Sequence, residues 1–464
     1  MWHVTLFRSA SHLLLRLASD QVLGLARRAL DMSLLEWSSE FIMSFYFHHR
    51  LIFSPFPLAP ERRRGVRFLP TIPNEIYFCI FEHIAPPTGR LSPEQLGIFT
   101  NLAGVCRFFA NFCLPRIFEL VVFSGSIFSN DSPGFGNDAV YKTSRESTLC
   151  TQIAAKQPLA LALAKTVRVC HFTDWELDDT GSWAVRLFVN KYLAGMLHMQ
   201  NIRKLTFTAS FVDAEHWNAI ATLGSLEELS FDSCQFLRGP ADVEPEKRVR
   251  VRVSRLRVVQ CDGLCQPVVA IDARYLRVLK FTDSFVDAED WNAIATLESV
   301  EELSFDRCSF PPDPVDIEPQ KRVRVKVSRL RVVQCDGLRQ PVAAIDARYL
   351  RTLAMDFLFL DFVDWLSQST LTELHVTIWR PFDVTLDSMQ QLHAILQAHQ
   401  SLEALVLFID CPLSEEDIVR RLFDDPMWNR LPLLRSLTLR AHLLNIDTAV
   451  GVCPLSSLSV SHGS

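Results

Sequence analysis

The chain has 464 residues, of which 47 are Lys or Arg and 53 are Asp or Glu, so its formal charge is −6. A weakly acidic balance argues against a general polyanion binder and leaves room only for a local basic stripe. With 48% apolar and 22% charged residues the chain reads as globular, and 16 glycines are too few for collagen-like or Gly-rich architectures.

Residues 1–66 differ from the rest. They are rich in Leu, Phe, Ser and His, with Arg8, Arg16, Arg27 and Arg28 interspersed. This is weakly like an amphipathic targeting peptide, and no window offers ~18 uncharged apolar residues, so no membrane span is expected. Pro55, Pro57 and Pro60, followed by Glu61-Arg62-Arg63-Arg64-Gly65, mark the end of this N-terminal extension.

Residues 67–123 form a compact helical pattern. Pro73 suits a first helical turn and Glu75 the positive end of the helix dipole. Ile76, Ile80, Phe81 and Ile84 recur at helical spacing. Pro86, Pro87 and Gly89 stop that helix, a second run spans Leu91 to Val105, and a third segment contains Pro115-Arg116-Ile117-Phe118. Ile72-Pro73-x-Glu75-Ile76, then Ile80-Phe81-x-x-Ile84, then Leu102-Ala103-x-Val105-Cys106-Arg107-x-Phe109 resembles an F-box. The resemblance implies three short helices that dock on the Skp-type adaptor of a cullin-RING ubiquitin ligase. It implies adaptor contacts from Ile72, Pro73, Glu75, Ile76, Ile80, Phe81, Ile84, Leu102 and Val105. Ile72 replaces the usual Leu, and about ten extra residues around Pro86–Pro93 lengthen the first connection.

Residues 124–160 read as a linker, because Ser124 to Ser147 is rich in Ser, Gly, Asn and Asp. From 161 to 464 the chain is periodic. Residues 203–276 and 277–350 are near copies at an offset of 74, identical at 57 positions. Within them apolar-x-x-Leu-x-apolar recurs, with Leu at 205, 229, 256, 279, 303, 330, 353, 374, 405, 437 and 458. Spacings of 24, 27 and 23 residues make up the 74-residue unit. A strand of period two places both apolar side chains on one core. Three residues beyond the second apolar position stands Ser210, Cys234, Cys261, Ser284, Cys308 or Cys335, suited to satisfying backbone groups where the chain leaves the strand. The pattern resembles a leucine-rich repeat array. The expected fold is therefore an α/β solenoid: an N-terminal three-helix F-box followed by an irregular leucine-rich-repeat array with a parallel sheet on its concave face.

Return helices are expected at Asp213–Leu223, with Asp213 as cap and Trp217, Ile220 and Leu223 inward, at 385–400, and from Ser414. An edge turn is expected near Val167–Phe172. Residues flanking each core Leu face outward, which makes Arg255, Arg257, Lys280, Arg329, Arg331 and His375 candidate partner-binding residues. They lie among Glu228, Asp232, Glu302 and Asp306, so the same charges can instead pair between neighbouring strands. Lys247–Val253 and Lys321–Val327 alternate cation and Val without interleaved aromatics, which reads as a solvated strand edge, with contact to an acidic partner as the alternative, and not as a nucleic-acid groove.

Twelve cysteines include no C-x-x-C pair, and Cys265, which follows Cys261, becomes Arg339 in the second copy, so neither zinc nor another cofactor is expected. Reduced thiols point to the cytoplasm or nucleus. No phosphate loop, nucleophile elbow or HExxH motif is present, and His48, His49, His375, Asp410, Cys411 and Cys453 have no evident catalytic companions. The expected function is that of a non-catalytic substrate receptor of a Skp–cullin–F-box ubiquitin ligase, with a protein substrate and neither nucleic acid nor membrane as partner. The alternative is a repeat scaffold that targets nothing for destruction.

Overall fold

The computed structural model describes residues 91–105, 107–125, 145–175, 183–237, 250–310, 325–336, 345–356, 363–378, 386–409, 436–441 and 458–462. The adaptor contacts expected from Ile72 to Ile84, and the helix start at Ser414, lie outside them.

The strands are β1 (Leu120–Ser124), β2 (Val169–Trp175), β3 (Lys204–Val212), β4 (Glu228–Asp232), β5 (Gln235–Phe236), β6 (Arg255–Val259) and β7 (Val278–Thr282). They continue with β8 (Glu302–Asp306), β9 (Arg329–Val333), β10 (Thr352–Asp356), β11 (Glu373–Ile378), β12 (Ala404–Ile409), β13 (Ser436–Ala441) and β14 (Leu458–His462). Among the described residues all except β5 follow one another in sequence order across a single sheet, and β5 pairs with β3. Every pairing is parallel. A parallel neighbour requires a crossover connection from the end of one strand to the start of the next.

The register carries the repeat. Leu205, Leu229, Leu256, Leu279, Leu303, Leu330, Leu353, Leu374, Leu405, Leu437 and Leu458 are strand partners in unbroken succession. Val121 and Cys170 extend that spine to the first strand. Two residues on, Phe123, Phe172, Phe207 and Phe231 form a parallel second ladder. Phe172 stacks on Phe207 at 5.0 Å and Phe207 on Phe231 at 5.5 Å, and Phe281 stacks on Phe305 at 5.5 Å in the second copy. Offset rings at these distances add roughly 0.5–1.5 kcal/mol each beyond their burial.

Six turns share one device. Ala209, within β3, and Ser233, Gln260, Asp283, Arg307 and Gln334, just past β4, β6, β7, β8 and β9, have φ between 44° and 55°, a left-handed conformation that turns the chain. The residue that follows then bonds back. The Ser210 and Ser284 hydroxyls donate to the carbonyls of Thr208 and Thr282 at 2.7 and 2.9 Å. The thiols of Cys261 and Cys335 donate likewise to Val259 and Val333 at 3.1 and 3.3 Å. The small polar residue expected beyond each strand thus does satisfy the backbone.

The return segments vary. Helix Ala214–Ala221 is capped by Asp213, and Trp217, Ile220 and Leu223 are buried, as expected. Its copy, Ala288–Ala295, is capped by Asp287. Helix Leu386–Ala398 fills the expected position at 385–400 and buries Leu392 and Leu396. Lys247–Val253 is not a strand where described: Val251 makes a single parallel bridge to Ile271, and Val325 repeats it with Ile345.

At the N-terminal end, Ser92 and Gln95 form a capping box that opens helix Pro93–Ala103, which packs on helix Arg107–Ile117. Phe99, Ala110, Cys113 and Leu114 from this pair share one buried cluster with Val121 and Phe123. Among the described residues the sheet therefore begins at Leu120, within the segment read as the F-box. The segment read as a linker holds helices Arg145–Ala154 and Pro158–Ala164. Leu149, Cys150 and Ile153 on the first are buried at helical spacing, and the Ala/Leu run of the second has high intrinsic helicity behind Pro158. The turn composition that suggested a linker is concentrated upstream of Arg145.

Candidate functional site

Because the Leu and Phe ladders face the core, the alternate residues of each strand form the opposite, open face. Register gathers them into lines. One line runs Lys204, Glu228, Arg255, Val278, Glu302, Arg329. The next runs Ser230, Arg257, Lys280, Ser304, Arg331, Ala354, His375. A third carries Asp232 and Asp306. The six candidate partner-binding residues therefore lie on one face, in two adjoining lines.

Their charges divide into paired and unpaired. Lys280 Nζ lies 2.7 Å from Glu302, Arg329 lies 3.6 Å from the same carboxylate, and Lys204 reaches Glu228 at 2.6 Å. His375 Nε2 lies 2.7 Å from Glu373 on its own strand. Arg255, Arg257 and Arg331 are exposed and have no ion-pair partner among the described residues. The middle line is the informative one. Arg257 and Lys280 are direct neighbours on strands ~4.8 Å apart, and that line holds no acid from Ser230 to His375. Mutual pairing between strands thus accounts for part of the charge and leaves a cationic stripe.

Of the expected adaptor contacts, Leu102 is half-buried at the end of its helix and Val105 is 62% exposed just beyond it. Ile98 on the same helix is 43% exposed.

The sequence reading missed one grouping. Lys247–Val253 and its copy lack aromatics of their own, yet the fold sets Tyr275 under Arg252, with 5.3 Å from Cζ to the ring centroid, and Tyr349 under Lys326, at 5.2 Å. Each tyrosine lies 23 residues downstream of its cation, and the Val251 and Val325 bridges bring the segments together. The matching offset in both copies was the available signal.

The described thiols are not alike: the hydrogen bonds from Cys261 and Cys335 bring Cys234 and Cys308 below the ordinary thiol value, whereas Cys150 and Cys265 are pushed up. Burial pushes Cys150 up to about 12, with Lys191 opposing it and Glu146 adding to it. Burial, then the carboxylates Asp290, Glu289 and Asp287, push Cys265 up to about 11. Thiols held protonated are poor nucleophiles and poor metal ligands. Among the described residues no three His, Cys, Asp or Glu side chains group as a metal site, and no helix is long and apolar enough to cross a membrane.

Among the described residues, a parallel sheet of stacked, in-register strands with a continuous Leu spine defines a leucine-rich-repeat-like solenoid, a protein-interaction fold. No protein-family model matches the chain, and no curated protein matches it. Among solved structures, a crystal structure of a TLR13–ssRNA13 complex aligns with 65% of this chain at 14% identity and a TM-score of 0.36. The alignment spans 41% of that chain, so the two share well under half of the longer protein.

Proposed function

We propose that the chain is a non-catalytic substrate receptor of a Skp–cullin–F-box type ubiquitin ligase. The solenoid holds a protein substrate. The motif from Ile72 to Phe109 docks a Skp-type adaptor and, through it, a cullin-RING ligase. The chemistry belongs to a ubiquitin-conjugating enzyme brought nearby, and the gain is one of effective concentration.

The observation that supports the receptor half is the exposed, unneutralised set Arg255, Arg257 and Arg331 on the open face of a continuous sheet. Exposed cross-strand charge pairs contribute only ~0–1 kcal/mol of stability, so surplus cations there serve selection of a partner better than they serve folding. The ligase half is supported by the order and spacing of the Ile72–Phe109 motif.

Affinity capture with mass spectrometry tests both halves. The intact chain is expected to retain a Skp-type adaptor, and Ile76→Glu to lose it, since a carboxylate on the apolar stripe cannot be buried unpaired. Retention by the Ile76→Glu chain would show that this stripe is not the contact. A captured partner that lives longer when the protein is removed marks a receptor, and an unchanged lifetime favours the scaffold reading.

A further inference from the structure

The rim of the sheet, at the residues just before each strand, carries a periodic charge pattern of its own. Backbone hydrogen bonds run from turn to turn through Arg203, Glu227, Ser254, Arg277, Glu301, Ser328, Arg351 and Thr372. The order Arg-Glu-Ser is thus repeated and then broken, because Thr372 stands where a third Glu would fall. Arg203 reaches Glu227 at 3.7 Å and Arg277 reaches Glu301 at 3.2 Å. Arg351 is exposed and has no ion-pair partner among the described residues.

Beside it opens a groove of about 550 Å³. Four cations line it, Arg277, Lys326, Arg329 and Arg351, against two carboxylates, Glu298 and Glu301. Glu301 is engaged by Arg277, Arg329 reaches Glu302, and Lys326 is held over Tyr349, a residue 47% exposed. The remaining lining is largely hydroxyls, among them Ser299, Thr352 and Thr372. An open groove lined by four cations, with hydroxyls set beside Val300, Val327 and Tyr349, suits an extended, negatively charged polymer better than an enclosed small molecule.

From this we infer that the Arg277–Arg351 groove is a docking site for an acidic, Asp/Glu-rich polypeptide segment. A polypeptide fits better than a nucleic acid. Glu298 and Glu301 stand inside the groove and would face a continuous phosphate backbone, whereas acidic side chains at intervals can straddle them. The duplication repeats the constellation one unit earlier as Arg203, Arg252, Arg255, Tyr275 and Arg277, with Gly224 in place of Glu298. Three strands separate the two, ~14 Å at ~4.8 Å per strand, the span of about four extended residues. The preferred ligand therefore carries two acidic clusters about four residues apart. This inference rests on the receptor half of the proposed function and is independent of adaptor docking.

Fluorescence anisotropy with the purified full chain tests it, using a labelled peptide with two Asp-Glu pairs at that spacing and a serine-substituted control. The intact chain is expected to bind the acidic peptide, more tightly at low salt. Lys326→Glu with Arg351→Glu is expected to weaken binding about tenfold or more. Glu298→Gly, the residue of the first copy, is expected to tighten it several-fold without touching the core. Affinity unchanged by both variants would overturn the assignment. So would an oligoribonucleotide of equal charge that displaces the peptide and shows the same dependence on Lys326 and Arg351. Adaptor capture on the same variants keeps the two readings apart: its loss bears on the motif at Ile72–Phe109, and the loss of peptide binding alone bears on the groove.

Discussion

Asp290 occupies the third position of helix Ala288–Ala295, where the first copy has His216. His216 Nδ1 lies 2.7 Å from the cap carboxylate of Asp213. Burial pushes Asp213 up, but the hydrogen bond and charge of His216 and the amides of His216 and Glu215 bring it below the ordinary carboxylate value. In the second copy the same geometry sets one carboxyl against another. Asp290 is 2% exposed, and burial raises it to about 7 against the pull of the Asp287 amide it accepts from. Below pH ~4 both the folded and unfolded chains hold that proton. Between about 4 and 7 only the folded chain holds it, so stability falls as pH rises through that window and stays reduced above it. Asp290→Asn is expected to match the parent near pH ~4 and to exceed it by on the order of 3 kcal/mol near pH ~8, as read by urea denaturation at the two pH values. The capping role of Asp213 is legible in the sequence because Asp precedes an apolar-periodic run. The titration of Asp290 is not, because its burial depends on packing against the neighbouring return helix Cys265–Ala270.

At the scale of the element, the exit from each strand is the most regular device in the solenoid. The thiol of Cys261 donates to Val259 and accepts the amide N–H of Cys234 from the preceding turn at 3.2 Å; Cys335 does the same for Cys308 at 3.4 Å. One side chain closes its own turn and ties it to its neighbour. Cys261→Val fills the volume and leaves the buried Cys234 N–H without a partner, an expected loss of roughly 1–3 kcal/mol in urea denaturation. Cys261→Ser is expected to retain most of the stability, since Ser210 and Ser284 perform the same closure elsewhere. The spacing of these residues is readable in the sequence. The left-handed residue before each is not, because Ala209, Gln260 and Arg307 carry no turn signature of their own and take that conformation from the turns packed around them. β1 was missed for a related reason: it places Val121 and Phe123, with no Leu, on the spine.

For the molecule as a whole, the leucine register was legible because a period-two strand repeated at short intervals leaves few alternatives. Neither the first described strand, at Leu120, nor the rim groove was, since both depend on residues brought together across turns. The duplication is also a test of modularity. β6 and β9 have the same sequence, Arg-Leu-Arg-Val-Val, and β10 pairs with β9 through Leu330 and Leu353. Deleting residues 277–350 would present β10 with the same edge on β6. The shortened chain is expected to unfold cooperatively, with a solenoid ~14 Å shorter by small-angle scattering, as nearest-neighbour stability predicts.

That shared edge also gives the intact polypeptide a decoy. While it folds, β10 can seat on β6 as snugly as on its proper mate, extruding three turns as a loop. The join itself is chemically faultless, so local contacts cannot proofread it. Only the burial forfeited by the extruded turns and the entropy of closing a long loop, which grows slowly with length, favour the correct seating. Fidelity of assembly here is a property of the whole stack and not of any one seam.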